Sequence, residues 1–215
     1  MSKLLSTLAT IHHLDVPLRK NPDAWFEMIE GYFNTAYDKL NAQALIDELQ
    51  LPNLSKNDPR MEFQKLRQII SDLHSPMVFC HNDFRGSNIL VTKNTTTAEP
   101  SILLTDVECS AYGYRPNDLS NWITSWGYTA FDIEKHAMPS DDVLHYVISL
   151  YVDACERLVP GYSKQPENAI PVIIKEVKIF QLLHSMFFVG FMMQSTESFI
   201  ASVPFDAKAF MVSYL

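Results

Sequence analysis

The sequence predicts an α+β fold that is mostly helical, with one short β-hairpin region set between two helical stretches. Three observations carry this. Apolar residues recur at helical spacing through residues 1–75 and again through 121–215, and β-type runs are confined to the stretch between them. The third is that the polar residues capable of chemistry gather at the ends of those β-type runs. With 215 residues the chain can bury a sizeable core without disulfides, so one domain over 1–215 is expected, its central strand-and-loop segment spanning 77–118.

Taken in order, Leu4, Leu8 and Ile11 fall on one helical face, and Ser6, Thr7 and Thr10 interrupt any continuous apolar run. The start therefore reads as an amphipathic helix, not a signal peptide. Asn21 and Pro22 form a helix start before Trp25, Phe26, Ile29, Tyr32 and Phe33. Asp58 followed by Pro59 forms another, before Leu66, Ile69, Ile70 and Leu73, whose spacing lays them on one face. Three strands are predicted at 77–80, 89–91 and 101–104, the last two joined by the polar loop Asn94 to Ala98. Ser140-Asp141-Asp142 predicts a cap before a helix from Val143 to Leu158, stopped by Pro160-Gly161, and a long helix follows from Val172 to Met193.

Composition excludes several classes. Seventeen Lys and Arg against 25 Asp and Glu leave a net charge of -8, which argues against a nucleic-acid partner. At 47% hydrophobic and 20% charged residues the chain is not disordered. The most apolar stretch, Ile179 to Met193, is too short to cross a bilayer and contains Gln181, His184 and Ser185, so a buried helix and no membrane span are expected. Cys80, Cys109 and Cys155 form no close pair, which fits a reducing, cytoplasmic setting.

Two polar clusters bracket the predicted strands. His81-Asn82-Asp83 is followed by Asn88 five residues after the aspartate, and Asp106 and Glu108 come directly after the strand 101–104. Phosphoryl transfer to a hydroxyl needs one carboxylate to orient the acceptor and take its proton, and oxygen ligands to hold magnesium on the nucleotide phosphates. In that pattern Asp83 is the candidate base, Asn88 and Asp106 the candidate metal ligands, and Glu108 a further ligand. His81 takes a supporting catalytic role.

These residues, with Val78-Phe79-Cys80 before them, Ile89-Leu90 after Asn88, and the stretch Tyr112-Gly113-Tyr114-Arg115-Pro116-Asn117-Asp118-Leu119-Ser120-Asn121, resemble the choline and ethanolamine kinases. More thinly, the resemblance runs from the opening helix with His12 and Pro17 to Phe205-Asp206. It implies the C-terminal lobe of a protein-kinase-like fold, ATP with Mg2+, and phosphorylation of choline or ethanolamine in phospholipid synthesis. It also implies an acceptor site that includes Trp126, Tyr128 and Phe187, with Phe131 nearby, because a quaternary ammonium is held by aromatic faces.

The pattern is broken in two places. Ser125, Ala130 and Gly190 stand where the family has an acid and two aromatics. The six glycines are widely scattered, so neither a Gly-rich phosphate loop nor the lobe that carries it is expected in this chain. Two readings remain open: a phosphotransferase, working as a homodimer or paired with a full-length relative, and a catalytically weak lobe that serves as a binding module.

Overall fold

The computed structural model describes residues 1–48, 52–93, 100–126 and 139–195. Among these are eight α-helices and four β-strands, so the α+β, mostly helical expectation holds. The chain divides into two compact units. The first comprises Met1–Pro22, His74–Trp126 and Met138–Gln181, and the second Asp23–Leu73, Gly127–Ala137 and Leu182–Leu215.

In the first unit, α1 (Ser2–His12) turns Leu4, Leu5, Leu8, Ala9 and His12 inward. Residues 5, 8 and 12 are three and then four apart, which keeps them on one side of a helix with 3.6 residues per turn. The buried face thus takes in His12, whereas the predicted Ile11 is only half-buried. It packs against α7 (Asp141–Leu158), which buries Leu144, Val147, Ile148, Tyr151 and Val152 in the same core. Each fully buried aliphatic side chain here contributes about 1.5–3 kcal/mol against exposure. Ser140 occupies the N-cap of α7 as expected, but its hydroxyl makes no cap bond. The carboxylates of Asp141 and Asp142 in the first turn complement the helix dipole instead. Gly161 takes φ 91° just past the end of the helix, a conformation that needs no Cβ penalty only at glycine.

The strands form two antiparallel pairs. β1 (Met77–Cys80) pairs with β4 (Ala111–Tyr114), ending with Cys80 opposite Ala111. β2 (Ile89–Lys93) pairs with β3 (Pro100–Leu104), and Ile89 lies opposite Leu104. These registers decide the site. The chain from 81 to 88 leaves the first pair and enters the second, and the chain from 105 to 110 makes the return trip between the same two ends. β4 is not among the predicted strands, because Gly113 interrupts its short run between two tyrosines and the pairing with β1 supplies the rest of its stability. Helix α6 (Pro116–Thr124) begins inside the segment read as strand and loop, with Pro116 pre-set for the first turn and all nine residues buried.

The second unit contains α2 (Asp23–Lys39), α3 (Ala42–Glu48), α4 (Pro52–Lys56) and α5 (Pro59–Asp72). α2 buries Phe26, Ile29, Phe33 and Ala36, and α5 buries Phe63, Leu66 and Ile70. The Phe63 ring lies 6.3 Å from that of Phe26 and 6.1 Å from that of Phe33. Residues 63, 66 and 70 define the inward face, which leaves the predicted Ile69 49% exposed. The long helix α8 (Ile170–Gln194) starts two residues before the predicted Val172 and contributes to both units.

Asp58 caps α5 as its sequence predicts, its carboxylate accepting from the Arg60 amide at 2.9 Å. The guanidinium of Arg60 bonds the same carboxylate and holds its pKa below the usual value. Asp58→Ala is expected to lower stability by about 1 kcal/mol. Because the folded-state pKa is depressed, this contribution is fully present above the ordinary aspartate range and is lost as pH falls through the folded value. Thermal unfolding of both proteins at neutral and acid pH checks both points.

Candidate active site

The loop from 81 to 88 is shaped by main-chain bonds to a buried carboxylate. The amides of His81 and Asn82 both donate to Asp118 on α6, each at 2.7 Å. Asn82 then adopts φ 64°, in the left-handed region that asparagine tolerates better than most residues. Its side chain locks that turn, donating to the Cys109 carbonyl at 3.0 Å and accepting from Asn117 at 2.9 Å.

This turn presents Asp83 at the end of β1 with a side chain 30% exposed. Its Oδ2 accepts from Asn88 Nδ2 at 2.6 Å, and its Oδ1 lies 3.2 Å from Arg85 Nε. Asn88 is buried and also donates to the Asp83 carbonyl at 3.0 Å, which leaves its own Oδ1 with one partner, the Ser87 hydroxyl at 3.1 Å.

The two loops are clasped together. His81 Nε2 bonds the Thr105 carbonyl at 2.9 Å, and the Thr105 amide bonds the Asn88 carbonyl at 3.0 Å. A carbonyl only accepts, so His81 carries its proton on Nε2, and Nδ1 accepts from the Asp83 amide at 3.3 Å. One neutral imidazole therefore joins the main chain at Asp83 to the residue before Asp106. Asp106 adopts φ 58°, ψ 53° and begins a 3₁₀ turn over Val107–Cys109, with the Asp106 and Glu108 carboxylates exposed to solvent. Residues held in sparsely populated conformations cluster at functional sites, and both Asn82 and Asp106 are of this kind. Partial desolvation, and then the charges of Asp83, Glu108 and Asp106, push the Cys109 thiol above its usual pKa.

The predicted acceptor residues fare differently. Trp126 is half-buried and packs edge-on against Trp122 in the first unit, with ring centres 4.7 Å apart. Phe187, in the second unit, stacks on Trp25 at 5.2 Å and on Phe191 at 6.2 Å. Tyr128, Ala130 and Phe131 lie outside the described residues. Ser125 donates its hydroxyl to the Trp122 carbonyl at 2.7 Å, closing the end of α6. At Gly190, α8 meets α2 so closely that a Cβ would lie 3.3 Å from Tyr32 Cβ and from Phe33 Cζ. The space for an aromatic at that position is taken by α2. Gly190→Trp is accordingly expected to destabilise the fold by about 3 kcal/mol or more, read as a lower midpoint in urea unfolding.

Sequence reasoning missed His12, Asn82, Arg85 and Asp118 as parts of this site. Asp118 and Asn82 stood within the quoted motifs, yet nothing local marks them as partners 36 residues apart. Arg85 had a visible signal, a cation two residues after the candidate base.

The fold is that of a kinase-like transferase. A solved ethanolamine kinase from Plasmodium vivax superposes on the whole chain with a TM-score of 0.70 at 20% sequence identity, and the match covers 57% of that kinase. The family model described as choline/ethanolamine kinase matches residues 1–212, and the chain belongs to that family. It is 33% identical over 137 residues to mouse choline kinase alpha, covering 63% of this chain and 30% of the relative. To human choline/ethanolamine kinase it is 33% identical over 125 residues, covering 58% and 30%. The chain thus aligns with about a third of the length of these relatives. No helix among the described residues is long and apolar enough to cross a membrane.

Proposed function

We propose that this chain is the C-terminal lobe of a choline or ethanolamine kinase and carries the chemical half of its active site, transferring the γ-phosphoryl group of ATP to the hydroxyl of the amino alcohol. The observation that supports this reading is the clasp between the two loops, in which His81 bonds the residue before Asp106 and Asn88 bonds Asp83. Their donor set fits magnesium: Asn88 Oδ1 and the Asp106 and Glu108 carboxylates are all oxygen ligands, the kind this hard cation takes. When bound with ATP, the metal neutralises charge on the phosphates.

The protein's own groups do the rest. Asp83 accepts the proton of the substrate hydroxyl as the new oxygen–phosphorus bond forms, while the bond to the β-phosphate oxygen breaks and ADP departs with its electron pair. Asn88 holds Asp83 Oδ2, so Oδ1 is the oxygen that meets the substrate, and Arg85 must swing away from it or turn toward the anionic phosphoryl group. Trp126, Tyr128 and Phe187 are proposed to line the amine side, in a cytoplasmic enzyme that pairs with a second copy or with a full-length relative. Exposed Leu90, Val91, Leu103 and Val107 on and beside the hairpin supply apolar surface for such pairing.

One observation favours the second reading, that of a binding module: both oxygens of Asp83 are engaged by Asn88 and Arg85. The deciding experiment is transfer of labelled γ-phosphate from ATP with magnesium to choline and to ethanolamine by the purified chain. Turnover supports the kinase reading, and the faster amine identifies the substrate. A folded chain that transfers nothing to either amine, and adds nothing to the turnover of a full-length relative mixed with it, overturns it in favour of the binding module.

A further inference from the structure

Asp118, which shapes the loop at its start, is itself held in place. His12 Nε2 lies 3.2 Å from Asp118 Oδ2, and His12 Nδ1 lies 2.7 Å from the hydroxyl of Tyr151 on α7. The side chains of His12 and Asp118 have no solvent exposure, and Tyr151 is fully buried. Asp118 accepts from two main-chain amides, so the imidazole nitrogen facing it is a donor and carries the proton. In the neutral ring the other nitrogen then accepts, and the donor it meets is the Tyr151 hydroxyl. Burial keeps that hydroxyl protonated by pushing its pKa well above the usual value.

We propose that Tyr151 is a positioning residue for the phosphoryl-transfer loop: its hydroxyl holds His12 in the tautomer that lets Asp118 pin the amides of His81 and Asn82. The role rests on the reading of Asp83 as the catalytic base, which begins one residue after that pinned pair. Without the hydroxyl, His12 Nδ1 is a buried acceptor lacking its donor, or the ring takes the opposite tautomer and turns a lone pair toward Asp118. Either result loosens the carboxylate that shapes the turn. Cys80 Sγ also lies within 4.8 Å of the His12 and Asp118 ligand-type atoms, but no metal is needed here. Every oxygen of Asp118 has a hydrogen-bond donor, and the Cys80 thiol is directed at the carbonyls of Val78 and Tyr114.

The test compares Tyr151→Phe with Ile148→Val, a conservative change at another buried position of the same helix. Amide hydrogen exchange at His81 and Asn82 is followed by NMR beside global unfolding and transfer kinetics. Tyr151→Phe is expected to speed exchange of those two amides about tenfold beyond its effect on global stability. It is also expected to lower kcat about tenfold with KM for both substrates within about twofold, while Ile148→Val changes neither selectively. Equal effects of the two variants on those amides overturn the proposal. So does a ¹⁵N spectrum of the unaltered protein showing His12 protonated on Nδ1 alone, a readout that needs no variant to fold. If the unaltered chain transfers no phosphate either alone or mixed with a full-length relative, the kinase reading fails while exchange and tautomer still decide the role of Tyr151.

Discussion

Asp83→Asn is expected to lower phosphoryl transfer by about 10³-fold, within the range a positioned general base contributes. The asparagine is nearly isosteric but has no basic oxygen to take the proton. It also faces two donors, Asn88 Nδ2 and Arg85 Nε, with one carbonyl where the aspartate has two acceptors. The loss should therefore appear in kcat, with KM for ATP little changed, because the groups assigned to the metal and phosphates are untouched. Steady-state kinetics checked against an unaltered unfolding midpoint tests this. Full turnover by Asp83→Asn would remove Asp83 from the role of base.

Glu176→Ala should have the largest effect on stability, a loss of about 3–5 kcal/mol. Arg115 is fully buried, and its guanidinium meets the Glu176 carboxylate at 2.6 Å, the Glu167 carbonyl at 3.0 Å, the Asn168 side chain and the Tyr162 hydroxyl. Glu176 also accepts from Ser75 at 2.8 Å. Removing the carboxylate leaves a buried cation without its counter-charge, a large fraction of the roughly 5–15 kcal/mol that ordinarily holds a domain folded. Replacing both partners, Arg115→Met with Glu176→Leu, should cost clearly less than Glu176→Ala alone, since no charge is then left in the core. Urea unfolding of the three proteins separates these outcomes. A double variant as unstable as the single one would mean that packing, not charge, dominates. Arg115 directly precedes α6, so the pair also anchors the helix that carries Asp118.

The part of the candidate site that lies close along the chain was legible before folding was considered. Asp83 and Asn88 are five residues apart and meet through one side chain, and Asp106 and Glu108 follow a recognisable strand. The cap at Asp58 was equally plain, because capping is a local interaction. Faces of helices were read less well: Ile11 and Ile69 have the right hydropathy, yet His12 and Phe63 take the inward positions. Periodicity fixes an apolar stripe only to within a residue or so, and the neighbouring element selects which edge of it is buried.

The residues that hold the loop were not legible at all. His12 meets Tyr151 across 139 residues and Asp118 across 106, and Arg115 meets Glu176 across 61. Each is a polar side chain that a sequence alone would place at the surface, and burial becomes tolerable only when a distant partner satisfies it. By itself the sequence determined the family, the mostly helical α+β fold and the spacing of the acidic and amide groups suited to phosphoryl transfer, because these depend on local pattern. The tertiary structure alone decided that the two loops are clasped through His81, that Asp118 shapes the first of them, and that α2 fills the space beside Gly190. Those arrangements arise from the strand registers and from buried hydrogen bonds between remote segments, which do not exist until the chain has closed on itself.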